Sequence, residues 1–487
     1  MEKPNVYSHI LKSTIVFGGM QGFNVLIGLL RNKFVALFIG PAGMGLVALF
    51  TSTIKLLGDI TNLGLPVSAV RELSKAYEDT DRSVLERLVS VFRRWTLCTA
   101  LVGMVLCVVL SSFISQLAFS SSHYTWHIVL LSPAVAFATL AAGETALLKA
   151  TRKIHKLVKS SVYSLIASLV ITVPLYYFYG IRGVVPVLVL VALAQAAIVL
   201  FYSFREYPWR FRGMFCEGYR FVRLGIAFIA GGVIGSITEF AIRSSLSAMS
   251  DVETVGLYNA AYMILVTYAG TVFTSMETDY YPRLSAIPDV GRQFNAVVNR
   301  QIEVSVLLLA PLLVAFIVFV PVLLPLLFSS KFLPVLRMLQ VAVLSLYARA
   351  LFLPVEYISL SRKDSFAYIT VETLSYVMLF ASVVIGYNLG GLFGIGVGMT
   401  VANFSELLLV VGFYRARFRY AFSHKVVRIV SVQVLFGVLA YACTWIDNPL
   451  GYWASGLILF ALSAIFSMRL LRKKSDIIEG LRRRFKR

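Results

Sequence analysis

The chain has 487 residues, 58% of them apolar and only 14% charged, with a mean hydropathy of +0.80. Apolar side chains in that proportion cannot be hidden in water-soluble cores, which excludes a soluble enzyme or binding module and leaves a protein that crosses the bilayer many times. The formal charge of +21 raises the question of nucleic acid, which the position of the charge along the chain answers.

Segments of about the 20 residues needed to cross a hydrocarbon core of about 30 Å recur in chain order at 13–31, 45–64, 95–117, 127–148, 160–180, 184–203, 223–248, 256–277, 301–327, 335–358, 367–387, 390–413, 427–446 and 450–468. This predicts about fourteen transmembrane helices in an all-α polytopic protein. Lys and Arg concentrate in alternate connections: the N-terminus, 66–94, 149–159, 204–222, 278–300, 359–366, 414–426 and the C-terminal tail. The opposite connections at 118–126, 181–183, 249–255, 328–334, 388–389 and 447–449 carry only Arg182 and Lys331. The bias places both termini in the cytoplasm. The charge is then positive-inside charge beside anionic lipid, with no nucleic-acid partner implied.

The N-terminal stretch MEKPNVYSHILKST has no small-residue cleavage site behind it, and the apolar segment that follows is full-length, so no cleaved signal peptide is expected. Between 66 and 95, Val84, Leu88, Val91, Phe92 and Trp95 fall at helical spacing, which suggests an interfacial helix. The mixture of Arg and aromatic residues in 206–225 fits a membrane surface better than single-stranded nucleic acid. Cys98, Cys107, Cys216 and Cys443 form no disulfide framework. His9, His123, His127, His155 and His424 lack metal-ligand spacing. The tail RLLRKKSDIIEGLRRRFKR reads as an anchor on anionic lipid, with partner binding as the alternative.

A weak internal repeat divides the chain. Met44-Gly45-Leu46-Val47-Ala48 after the first span resembles Val255-Gly256-Leu257-Tyr258-Asn259-Ala260 after the seventh. Arg31 lies 14 residues before Gly45 and Arg243 13 before Gly256; Arg71 lies 26 after Gly45 and Arg283 27 after Gly256. Each repeat holds an even number of spans, so the halves share one orientation, related by an axis along the membrane normal with a site between them. The expected organisation is an N-terminal six-helix lobe at 1–205, an interfacial linker at 206–222, a C-terminal six-helix lobe at 223–420, an extra helix pair at 421–468 and a basic tail at 469–487.

Charges at membrane depth cost at least about 2.5–3.5 kcal/mol each and mark wet or functional surfaces. The candidates within or at the ends of spans are Arg31, Lys33, Lys55, Asp59, Glu144, Glu239, Arg243, Glu277, Asp279, Arg349, Glu356, Glu372 and Glu406. Lys55 with Asp59, and Glu239 with Arg243, stand four residues apart on one helix face, so each pair could neutralise itself. Arg31 and Lys33 could be interfacial anchors, but the apolar run continues past Arg31 and Arg243 is its counterpart in the repeat. No Walker loop, Ser-His-Asp set or paired-carboxylate cleft occurs, so neither direct use of ATP nor an enzyme is expected.

The runs GPAGMGL, LGLPVSAVRELSKAY, VGLYNAAYMI, YPRLSAI and LLFSSKF resemble the Wzx-type flippases of O-antigen and enterobacterial common antigen (lipid III). These belong to the multidrug/oligosaccharidyl-lipid/polysaccharide (MOP, MATE-like) exporter superfamily. The resemblance covers nearly the whole chain and implies a twelve-helix core in two lobes, to which the pair at 427–468 is an addition. It implies a flippase of the bacterial inner membrane, moving undecaprenyl-pyrophosphate-linked oligosaccharide to the periplasmic leaflet by alternating access. Its partners would be that lipid-linked substrate, anionic lipids at the basic loops and tail, and the polysaccharide polymerisation and export machinery. The implied cavity cations are Arg31, Lys33, Lys55, Arg243 and Arg349. Asp59, Glu144 and Glu239 are then coupling-ion or charge-pair residues, with H⁺ or Na⁺ as the coupling ion. A cation-coupled multidrug antiporter is the alternative, although it would favour carboxylates over arginines; a membrane glycan polymerase or ligase lacks its large periplasmic loop here.

Overall fold

The computed structural model describes residues 6–78, 82–208 and 214–474, and every regular element among them is helical. The helices are α1 (Val6–Thr61), α2 (Leu65–Glu78), α3 (Arg82–Val109), α4 (Ser111–Phe119), α5 (Thr125–Ala150), α6 (Ile154–Tyr179), α7 (Val184–Phe204) and α8 (Tyr219–Met249). There follow α9 (Val252–Tyr262), a π-helical stretch Met263–Tyr268, α10 (Ala269–Ser285), α11 (Arg292–Leu327), α12 (Leu336–Ala342), α13 (Ser345–Ser361), α14 (Ser365–Phe418), α15 (His424–Cys443) and α16 (Pro449–Lys474). All fourteen apolar segments of the sequence fall on these helices. The basic tail from 475 and the middle of the linker, 209–213, lie outside the described residues.

Two of the long helices are pairs of spans joined without a loop. The arms of α1 meet at Gly40, whose φ of 64° only glycine adopts freely, and Pro41 opens the second arm where its missing N–H is harmless. The arms of α14 meet at Gly390 and Gly391, the latter at φ 56°. α12 and α13 form a broken span bent by 51°. The outer surfaces carry large apolar side chains, Leu389 at 83% and Leu408 at 75% exposure among them, which water would penalise and lipid does not.

The chain divides into two compact units, Met1–Ala260 with Leu327–Lys331 and Ala261–Leu326 with Phe332–Arg487. In the first, α2 and the start of α3 close over a buried cluster that includes Leu65, Leu73, Val89, Val91, Phe92, Leu147, Tyr207 and Phe221. The helical spacing of Val91 and Phe92 therefore reflects a protein core, where an interfacial helix is the sequence expectation. Phe92 and Phe221 meet with ring centroids 5.8 Å apart, and burying each such ring contributes about 1.5–3 kcal/mol. In the second unit α15 and α16 are tied together by Gln433, which donates to Ser467 Oγ at 2.7 Å and accepts from Ser463 at 2.7 Å. The Tyr452 hydroxyl donates to the Val318 carbonyl of α11 at 2.6 Å, so the added pair is part of this unit's core. Asp364 caps the start of α14 by accepting from the Ala367 amide. Arg417, 2.7 Å away near the other end of the same helix, holds the Asp364 carboxyl below the usual carboxylate range.

Candidate functional site

The second arm of α1 and the helix α8 face each other along a ladder of polar side chains. Lys55 and Asp59 share one face of α1 at a spacing of four; Ser236, Glu239 and Arg243 recur on α8 at three and four. Lys55 Nζ lies 3.0 Å from Glu239 Oε1, and the Ser236 hydroxyl donates to Asp59 Oδ2 at 2.5 Å. Arg243 Nη1 donates to Glu239 Oε2 and to its backbone carbonyl, both at 3.3 Å, and Nη2 donates to Asn259 Oδ1 on α9 at 3.3 Å. Of the two intrahelical pairs expected, Glu239 with Arg243 forms. Lys55 reaches across to Glu239 instead, while Asp59 takes a hydroxyl donor. Glu239 thus holds two cations of opposite accessibility, with Lys55 side-chain exposure at 48% and Arg243 at 7%.

Arg31 is half-buried on the first arm of α1 and donates to Ser168 Oγ of α6 at 3.2 Å, close to the buried Tyr176. Lys33 is half-buried two residues on. Arg349 belongs to the second unit: its guanidinium lies 5.4 Å from the Phe273 ring centre, in electrostatic contact with Glu372 and Glu406 of α14. The side chains of Glu277 and Asp279 lie outside the described residues. No group of three His, Cys, Asp or Glu side chains suited to a metal ion occurs among the described residues.

Glu144 has a partner that the hydropathy reading did not select. Arg93 is fully buried near the start of α3, and its Nε and Nη2 grip the Glu144 carboxylate at 2.7 and 3.0 Å. Nη2 also donates to Ser203 Oγ at 3.0 Å and Nη1 to the Tyr207 carbonyl at 2.5 Å, with the Phe204 ring centre 4.4 Å away. Every polar atom of this guanidinium is satisfied, the condition under which a buried ion pair is tolerated. Arg93 sits in a strongly charged connection, where its charge reads as part of the positive-inside pattern; its helical spacing from the buried Val89 and Thr96, one turn away on either side, is the available signal. A looser rim surrounds this core: Arg87 binds Glu217, Arg152 binds Glu78, Lys153 and Lys156 bind Glu206, and Arg220 binds Glu72. Arg87 holds the Glu217 carboxyl below its ordinary range.

Two glycines that the sequence places at matching positions meet within the first unit. Gly45 and Gly256, the matched glycines, lie where the second arm of α1 crosses α9. A Cβ at Gly45 would stand 1.8 Å from the Val252 carbonyl oxygen, and one at Gly256 1.8 Å from that of Pro41. Each glycine touches the residue four before the other, the reciprocal pattern of a two-fold contact.

The fold is shared with solved transporters. The lipid II flippase MurJ in an inward closed conformation superposes with a TM-score of 0.74 at 17% identity, over 94% of this chain and 99% of that one. An inward-facing multidrug resistance MATE family transporter of the MOP superfamily gives 0.70 at 13% identity, over 81% and 94%. A point mutant of the Vibrio cholerae MATE transporter VcmN gives 0.59 at 15%, over 85% and 98%. No curated protein matches the chain in sequence. The model of the polysaccharide biosynthesis protein family matches residues 10–287, more than half the length, and the chain belongs to that family.

Proposed function

We propose that the protein is a flippase that carries a polyprenyl-pyrophosphate-linked oligosaccharide, the repeat unit of an O-antigen or related surface glycan. Transport runs from the cytoplasmic to the periplasmic leaflet of a bacterial inner membrane by alternating access. The observation that carries this reading is Lys55: a half-exposed ammonium at membrane depth, held by a single carboxylate in a family devoted to polysaccharide synthesis. A pyrophosphate can replace Glu239 as its counter-ion, and charge-assisted contacts of that kind are the strong ones. Arg31 supplies a second, planar cation. The likeness in fold to a lipid II flippase supports a lipid-linked cargo. A drug antiporter would need accessible carboxylates for cationic drugs, whereas here Asp59 and Glu239 are occupied by Ser236, Lys55 and Arg243. Asp59 and Glu239 remain available as secondary H⁺ or Na⁺ sites when the substrate draws Lys55 away. The polymerisation and export machinery would receive the product.

The transport direction depends on the membrane orientation, which is tested on a cysteine-free background. Single cysteines at Ser121 and Asp251 are expected to react with an impermeant maleimide from the periplasm of intact cells. Cysteines at the exposed Lys159 and Ala421 should react only after lysis. The reverse pattern would invert the topology and the direction of export. For the function itself, deletion of the gene should abolish surface glycan and leave lipid-linked units in the cytoplasmic leaflet; continued display without the protein would exclude the flippase reading.

A further inference from the structure

One membrane-crossing segment, 252–285, changes partners midway, and three independent features coincide there. The chain leaves the first unit at Ala260 and continues in the second from Ala261. Two residues after that point it runs as π-helix over Met263–Tyr268, where the i→i+5 register interrupts the regular α-helical ladder. On either side of the π stretch the anchors are different. Within the first unit, α9 is fastened by two contacts one turn apart: the glycine crossing of Gly256 on Pro41 and Gly45, and Asn259, whose Oδ1 accepts from Arg243. Within the second unit, α10 is fastened by Tyr280, whose hydroxyl donates to the Pro354 carbonyl at 2.8 Å.

We infer that α9 is a detachable strap: a rigid helix latched onto the second arm of α1 and onto α8, swinging about the π-helical stretch while α10 stays in place. The latch assigns roles that differ from substrate contact. Arg243 and Asn259 are positioning residues, since Arg243 is buried and engaged by Glu239 and Asn259. Gly45 and Gly256 are there because backbone must lie on backbone, which small residues permit between membrane helices. Close packing makes such a contact bistable, seated or parted, with little in between. Glu239 connects the latch to the exposed Lys55, so a ligand that takes Lys55 from Glu239 alters the carboxylate that Arg243 leans on.

The test needs no substrate and no knowledge of the transported molecule, so its failure is separable from failure of the flippase reading. Purified protein lacking native cysteines carries one cysteine at Val255, fully buried on α9, or at the exposed Tyr281 on α10, and maleimide labelling rates are measured in detergent. Gly256→Ala and Asn259→Ala are expected to accelerate labelling at 255 by about tenfold, the scale of one lost charge-assisted hydrogen bond or packing contact. Asn259→Asp, which gives Arg243 an ionic partner, should slow it below the parent rate. Labelling at 281 stays unchanged in all three. Gly270→Ala, beyond the π stretch with no atom within 4 Å of the added methyl, should change neither rate. Unchanged labelling at 255 in both alanine variants would overturn the latch. Parallel acceleration at 255 and 281 would overturn the hinge, and acceleration by Asn259→Asp would show that Arg243 does not hold the strap.

Discussion

Replacing Arg93 by alanine is expected to destabilise the first unit by about 3–5 kcal/mol, because removing one partner of a buried pair strands the other. The Glu144 carboxylate is buried, as are the Ser203 hydroxyl and the Tyr207 carbonyl side of the site, and all three would lose their main donor at once. The expected result is a large fall in the unfolding midpoint of the detergent-solubilised protein and poor accumulation in the membrane. Glu144→Ala should behave similarly, leaving an unpaired guanidinium. The double variant Arg93→Met with Glu144→Leu removes both charges and keeps the volume, and most of the lost stability should return. If the double variant is as unstable as the sum of the singles, the pair is not a closed unit and Glu144 must be considered for ion coupling after all.

Lys55→Ala should reduce surface glycan to background while the protein inserts and accumulates as the parent does. A charge-assisted hydrogen bond to phosphate is worth about 1.5–3 kcal/mol, about tenfold to a hundredfold in occupancy, and more where water is scarce. Truncation also leaves Glu239 with Arg243 alone, adding negative potential where an anion must pass. Arg31→Ala should give a comparable loss, and Lys55→Arg a partial one. Neutralising the carboxylates, Asp59→Asn or Glu239→Gln, should impair display less than either cation loss. Normal display in Lys55→Ala and Arg31→Ala together would remove these residues from the substrate path; quantitative glycan blots alongside membrane protein levels decide it.

The difference between these two sites also marks the limit of what the chain reveals before it folds. Span positions were legible because a run of apolar residues must be long enough for the bilayer, whatever its neighbours are. The break at Gly40 falls in the gap between the first two expected spans, that at Gly390–Gly391 falls at the start of the expected span 390–413, just past the gap, and the matched glycines of the repeat were visible as a motif. Pairing was not legible. The spacing of Lys55 and Asp59 fixes the face they share but not what stands opposite, and that turned out to be Glu239 and Ser236 of α8. Arg93 was hidden by its charged neighbours, since positive-inside bias assigns every arginine near a membrane end the same bland role. The π-helical stretch has no periodicity signal at all: a single local widening in a uniformly apolar segment leaves the hydropathy pattern intact.

Transport of a polyprenyl-pyrophosphate-linked oligosaccharide by this chain can be followed as flipping in proteoliposomes. Moving about two negative charges outward across an inside-negative membrane is downhill by about 2.3 kcal/mol per charge per 100 mV. With a short-chain analogue whose sugar is trimmed by an external glycosidase, and with a K⁺ diffusion potential imposed at equal pH without Na⁺, protein-dependent transfer is expected. That transfer should be accelerated by a potential of the proper sign and reduced to the liposome background by Lys55→Ala. Transfer no faster than in protein-free liposomes under the potential, a pH gradient and a Na⁺ gradient alike, or transfer equally fast in Lys55→Ala, would contradict the flippase reading.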